Sequence, residues 1–463
     1  MSIEPMPKGI GSVYKEKCTM IPKDFVWGAS TSAYQIEGAY REDGRGMSIW
    51  DAYCRQEGKI QGGENGDVAC DHYHRYPEDV RLMKELGIHS YRFSLSWPRI
   101  LPEGTGRVNE AGLDFYDRLV DALLEAGIEP CVTLYHWDLP LALHQKGGWL
   151  HPDVASAFGE YTQVAVQRLH DRVKKFITLN EPQCITQLGY GKGEHAPGFR
   201  TDFETQATVA HNLLLAHGSA AQAIRAVDSG CQVGIASTGE IRYPVENTEE
   251  NRKAAYEANF RTDDQWGFSH HWYLDPMILG HYPQGNLPQW AEAFLETVPP
   301  EDMETIAQPL NFLGVNLYNG FPVDCSGNPV KRPIGSPKTA MRWNISPKAM
   351  GYGLEFLYQR YGLPLYITEN GCACNDRVYL DGKVHDPDRI DYTRRYLLEI
   401  ERAMDAGVPV KGYYHWSFLD NFEWNNGYNE RFGLVYVDYA HDLRRIPKDS
   451  YYWYREVIRT GNI

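Results

Sequence analysis

Eight short β-rich runs, each followed by a helical pattern, constrain this chain more than any other feature. They fall at Phe25–Ser30, His89–Ser94, Pro130–Tyr135, Lys175–Leu179, Gln232–Ala236, Phe312–Leu317, Pro364–Thr368 and Lys411–His415. Most are nearly continuous in apolar residues, the pattern of strands buried on both faces. The intervening segments carry helical spacing with stops at their ends. Pro77–Leu86 is closed by Gly87, Gly112–Ala126 by Gly127, and Ser346–Tyr361 has Pro347 in its first turn and Gly362 after it. Helices are also predicted over Val154–Leu169, Thr205–Val227, Arg389–Met404 and Lys448–Ile458. Strands alternating with helices give a parallel α/β sheet. Eight such units in one chain fit a closed (β/α)8 TIM barrel. The turn after the first strand, "GASTSAYQIEG", is neither a dinucleotide-binding glycine loop nor a P-loop, which counts against an open doubly wound sheet. Long barrel-top loops are expected at 31–73, 237–250 and 318–345. No low-complexity linker divides the 463 residues. The reading is an N-terminal arm over residues 1–20 and a single (β/α)8 domain over 21–463.

Two strands end alike. "FITLNEPQC" delivers Glu181 between an amide and a proline, and "PLYITENGC" delivers Glu369 before Asn370 and Gly371. In a barrel of this kind all C-terminal strand ends open on one face, where active sites sit. Either glutamate alone would be read as an ordinary loop-start residue. Paired carboxylates in one bowl serve acid/base and nucleophilic chemistry or hold a metal. Around them the strand ends carry His136, Trp137, Asn180, Asn316, Tyr318, Asn370, Trp416 and Trp424. Amides pair with hydroxyls and aromatic rings cover C–H faces, which suits a polyhydroxylated ligand such as a sugar. His270-His271 and Asp71-His72-Tyr73-His74 are weaker metal candidates, better read as residues with local hydrogen bonds.

The net charge of -15 disfavours nucleic acid and anionic membrane surfaces as partners. No apolar run approaches the about 20 residues of a membrane span. The first residues, "MSIEPMPKGIGSVYKEKC", lack the apolar segment of a secretory signal. The nine cysteines are irregularly spaced and include no CxxC pair. Free thiols and a cytoplasmic location are therefore expected, and Cys372-Ala373-Cys374 reads as too tight for an ordinary disulfide.

Longer motifs carry a resemblance. "FVWGASTSAYQIEGA" (25–39), "YRFSLSWPRI" (91–100), "VTLYHWDLP" (132–140), "TLNEP" (178–182), "FLGVNLYN" (312–319), "YITENG" (366–371) and "HWSFLDNFEWNNGYNERFGLVYVDY" (415–439) resemble glycoside hydrolase family 1, the β-glucosidase family, over nearly the full length. The resemblance implies hydrolysis of terminal β-glucosides with retention, some β-galactosidase or β-fucosidase activity, and no metal or organic cofactor. It implies Glu369 as nucleophile and Glu181 as general acid/base. It places Gln35, His136, Trp137, Asn180, Asn316, Tyr318, Trp416, Glu423, Trp424 and Phe432 around the sugar, with Trp343 as the aromatic wall of the leaving-group side. Glu423, in "DNFEWNNG", is expected as an ionised carboxylate gripping the outer hydroxyls and repelling a 6-phosphate. The implied substrates are small β-glucosides or cello-oligosaccharides, with a role in cellulose degradation; assembly into a homo-oligomer is left open. Gln183 departs from the pattern, standing where many family members carry tryptophan beside the leaving group.

Overall fold

The computed structural model describes residues 21–264 and 266–463, so the expected arm over 1–20, with Cys18, lies outside the described residues. Eight parallel strands close on themselves. They are β1 (Val26–Ser30), β2 (Ser90–Ser94), β3 (Glu129–Tyr135), β4 (Lys175–Asn180), β5 (Gln232–Thr238), β6 (Phe312–Asn316), β7 (Leu365–Asn370) and β8 (Val410–Trp416). Each pairs with its sequence neighbours and β8 returns to β1, from Val26 against Gly412 to Ser30 against Trp416. Every expected strand is present to within a residue or two. The predicted barrel is therefore the observed one.

Two cores hold it. A small cluster from the strands, Cys131, Ile177, Ala236, Phe312 and Tyr414 with Val26 and Tyr366 against them, fills the barrel interior. Gly234 is required there, because a Cβ at that position would lie 2.3 Å from the Phe312 ring. The much larger cluster packs the outward strand residues against the helices. The long helices run His72–Leu86, Glu110–Glu125, Asp153–Leu169, Phe203–Val227, Pro347–Tyr361, Pro387–Asp405 and Asp449–Thr460.

The structure departs from expectation in three places. The first long helix begins at His72, not at Pro77, so Pro77 lies inside it. Side-chain contacts hold that end: His72 Nδ1 meets Asp79 Oδ2 of the same helix at 2.7 Å, and the Tyr73 ring packs 4.5 Å from Phe115 of the next long helix. The segment between β5 and β6 carries a helix, Glu249–Asn259, that the periodicity did not announce. Its signal was the cap, Thr248 accepting from the Asn251 amide ahead of Glu249 and Glu250. Finally, the barrel-top loops are partly ordered. Ile241–Pro244 pairs in parallel with Gly320–Val323, and Ile49–Tyr53 is fixed by a Ser48/Asp51 capping box. No helix among the described residues is long and apolar enough to cross a membrane.

Candidate active site

Strand register assembles the floor of the site. Asn316 on β6 lies opposite Glu369 on β7, and Thr238 at the end of β5 lies opposite Asn316. Glu181 follows β4 directly. Its amide donates to the Ala236 carbonyl of β5 at 2.8 Å, and its φ of 48° puts it in the left-handed region. A non-glycine residue held there costs of order 1–3 kcal/mol, and such strain gathers where function demands a fixed direction. Pro182, with its φ preset, opens the short helix that follows. Trp137 (φ 82°) and Trp424 (φ 52°), at two other loop starts on the same face, share this conformation.

Both carboxylates sit in one cavity of about 530 Å³. Glu369 Oε1 accepts from Arg92 Nη1 at 2.7 Å and its Oε2 accepts from the Tyr318 hydroxyl at 2.7 Å. Glu181 Oε1 accepts from Asn316 Nδ2 at 2.7 Å and its Oε2 from the Cys184 thiol at 3.0 Å. Asn180 Oδ1 accepts from Arg92 Nη2 at 2.6 Å and from Asn316 Nδ2 at 2.9 Å. Those two donors fix its amide orientation, so its Nδ2 donates to His136 Nε2 at 3.1 Å. His136 then carries its proton on Nδ1, which is buried and has no partner in the protein. Burial, helped by Arg92, holds the imidazole well below its usual pKa, hence neutral.

The carboxyls differ in their surroundings. Burial, and then the charge of Glu369, push Glu181 up to about 7. Burial also raises Glu369, but the Arg92 guanidinium and the Tyr318 hydroxyl oppose it. Glu369 is therefore the member of the pair that ionises first. Burial, then Glu369, Glu430 and Glu181, push the Glu423 carboxyl up to about 8, against the hydrogen bond from Gln35.

His136, Trp137, Tyr318, Trp343, Trp416, Glu423, Trp424 and Phe432 all line the cavity with the two glutamates. The Trp416 ring lies 5.9 Å from His136 and nearly parallel to it, and Trp137 packs 4.6 Å from Trp424. Trp343, Tyr318 and Phe432 form a second aromatic group, with Trp343 5.3 Å from Tyr318 and 6.1 Å from Phe432. Asn180 and Asn316 sit beneath, as the supports of the carboxylates. Gln35 lies behind the wall, its Oε1 accepting from Ser32 at 2.6 Å and its Nε2 donating to Asn421 Oδ1 at 2.9 Å and the Phe422 carbonyl at 2.8 Å. Its amide is committed to the loop that carries Glu423. Gln183 is likewise turned away from the leaving-group side, fully buried and donating to Ser237 Oγ at 2.8 Å.

Arg92 is the residue that sequence reasoning missed. Its signal was present: a lone arginine inside a strand otherwise made of Ser, Tyr and Phe. His195, held down to about 3 by burial, also lines the cavity, beside Trp137 at 5.3 Å. It follows an irregular segment and had no pattern to mark it. The histidine candidates for metal each have a local partner: His72 has Asp79, His74 has Asp71, His270 has Ser237 and His271 has Thr262. No group of three or more His, Cys, Asp or Glu among the described residues is placed to hold a metal ion.

A buried carboxylate pair at the C-terminal mouth of a (β/α)8 barrel, one member on an arginine and the other raised toward neutrality, is the arrangement of a glycosidase. Comparison with known proteins agrees. Residues 17–463 match the model of glycosyl hydrolase family 1, and the chain belongs to that family. It is 47% identical to a β-glucosidase A of Acetivibrio thermocellus over 95% of this chain and 98% of that protein. It is 42% identical to a bifunctional β-D-glucosidase/β-D-fucosidase of Bifidobacterium breve, covering 95% and 98%. A solved β-glucosidase from Thermotoga maritima in complex with glucoimidazole superposes with a TM-score of 0.87 at 44% identity, covering 96% of this chain and 99% of that one.

Proposed function

We propose that this protein is a retaining β-glucosidase whose single catalytic domain spans residues 21–463. The observation that supports it best is the asymmetry of the pair: Glu369 on Arg92 and Tyr318, Glu181 pushed up to about 7. Glu369, ionised, attacks the anomeric carbon and forms a glycosyl-enzyme. Glu181 gives its proton to the leaving oxygen, then takes one from the water that releases the sugar. Asn316 donates to Glu181 Oε1 and the Cys184 thiol to Oε2, which holds the carboxyl in one orientation. His136 and Glu423, on the cavity wall, meet the sugar hydroxyls, and Gln35 holds the Glu423 loop. Trp416 and Trp424 cover the C–H faces, and Trp343 with Phe432 borders the leaving group.

The substrates this pocket suits are small β-glucosides and cello-oligosaccharides, with β-fucosides or β-galactosides as secondary ones, which fits a place in cellulose breakdown in the cytoplasm. A panel of nitrophenyl glycosides tests this. The β-glucoside should lead, the α-glucoside should be inert, and chelator should change nothing. Preference for the 6-phospho-β-glucoside over the β-glucoside would overturn the substrate assignment.

A further inference from the structure

The strand that carries Glu369 runs on through Asn370 and Gly371 into Cys372-Ala373-Cys374. In extended chain, residues two apart share a face. Here the two sulfurs lie side by side, 3.7 Å apart. Cys374 is fixed in place by a bridge, its amide donating to the Arg431 carbonyl at 3.1 Å. Cys372 is buried and Cys374 half-buried. The Arg389 guanidinium acts on both thiols, and its Nε is buried without a hydrogen-bond partner. The Cys372 S–H, and then Arg389, draw the Cys374 thiol down against burial and the nearby Asp376. Cys374, the more exposed of the two, is the sulfur an oxidant reaches first. Between the two, Ala373 packs on Trp416 and Phe432, with Tyr318 and Trp343 against that cluster, and its carbonyl accepts from Ala340 at 3.1 Å.

We propose that Cys372 and Cys374 form a modification site, a dithiol that a small disulfide oxidant closes into an internal disulfide, with loss of glycosidase activity. The Cys374 thiolate attacks one sulfur of the oxidant, breaking its S–S bond and releasing one thiolate, which takes up a proton. Cys372, giving up its proton, then attacks the Cys374 sulfur of the mixed disulfide and expels the second thiol. The protein loses two hydrogens and the oxidant is reduced to two thiols. Closure brings the sulfurs from contact to bonding distance within a small ring, so Ala373 must turn. That turn moves the wall on which Trp416, Phe432 and Tyr318 stand, and Tyr318 holds the Glu369 carboxylate. A strained ring of this kind is readily reopened by thiols.

The test uses the full-length protein and oxidised glutathione, with peptide mapping under non-reducing conditions and rates on nitrophenyl β-glucoside. The peptide spanning Cys372 and Cys374 should lose two hydrogen masses and carry no glutathione. The kcat/KM should fall by up to about a hundredfold, the scale of a displacement near an ångström at a catalytic wall, and dithiothreitol should reverse both changes. Cys372→Ser should stop at a glutathione adduct on Cys374. Cys374→Ser should keep its untreated rate and ignore the oxidant. Exposed Cys325 should take glutathione in every case without effect on rate. A wild-type peptide that stays a dithiol or carries two adducts, or an internal disulfide formed with the rate unchanged, overturns the proposal.

Discussion

The floor and the mouth of the pocket are built differently. The floor is made of residues on or directly after barrel strands, Arg92, Asn180, Glu181, Asn316, Thr368 and Glu369, all buried. Their polar atoms hold one another: Thr368 Oγ1 donates to Asn316 Oδ1 at 2.6 Å, and Arg92 Nε to Thr133 Oγ1 at 3.1 Å. The mouth is made of loops, with Trp343, Met341, Lys192, Glu194 and Glu240 on its lining. Of these, Lys192, Glu194 and Glu240 are exposed, with Lys192 over the Phe268 ring at 5.3 Å. An over-determined floor serves bond breaking, where small displacements are costly. A loosely held mouth serves a leaving group that varies. Substitutions should therefore fail in different ways in the two regions.

The largest effect belongs to the floor. Glu369→Gly should abolish hydrolysis of every substrate, and added azide should enter the gap and give an α-glycosyl azide. A β-azide product, or residual hydrolysis near wild type, would show that Glu369 is not the nucleophile.

Glu181→Ala should come next, and its size should depend on the leaving group. Loss of a general acid costs about 10²–10⁴-fold for poor leaving groups, and far less for dinitrophenolate, which leaves without a proton. The pH profile sharpens the point. Glu181 must be protonated to act, so activity should fall as pH rises through about 7. That limb should vanish in Glu181→Ala; its persistence would assign it to another group.

Arg92→Met removes the cation without touching either carboxylate. Breaking a buried ion pair costs about 3–5 kcal/mol of stability. Without the guanidinium the ionised form of Glu369 is less favoured, so its pKa rises and the acidic limb of kcat/KM should move to higher pH. An acidic limb that stays in place would mean that Arg92 holds only the fold.

The mouth should give the smallest effect. Trp343→Ala removes an aromatic contact of about 0.5–1.5 kcal/mol. It should raise KM for aryl glucosides about three- to tenfold and leave hydrolysis of the glycosyl-enzyme unchanged. Rate loss on the scale of Glu181→Ala would erase the distinction between the two regions.

The same contrast explains what was legible in the sequence. Strands buried on both faces are long apolar runs, so all eight could be read, and the motif at each strand end located Glu181, Glu369, His136 and Asn316. Support by distant residues leaves no such trace. Arg92 reaches Glu369 and Asn180 across 277 and 88 positions of chain, and nothing local names those partners. Nothing local told that the Gln35 amide is held by Ser32 and by residues 421–422 of the Glu423 loop. The upward push on the Glu423 carboxyl was also out of reach, since it follows from burial and from three other carboxylates.

The central claim is double displacement by Glu369 and Glu181, which calls for carboxyl groups about 5–5.5 Å apart, not the roughly 6.5–9.5 Å of an inverting enzyme. Proton NMR of the sugar first released from a β-glucoside measures it directly. The account predicts that the β anomer appears first and that the α anomer grows in only by mutarotation. Early appearance of the α anomer would contradict it.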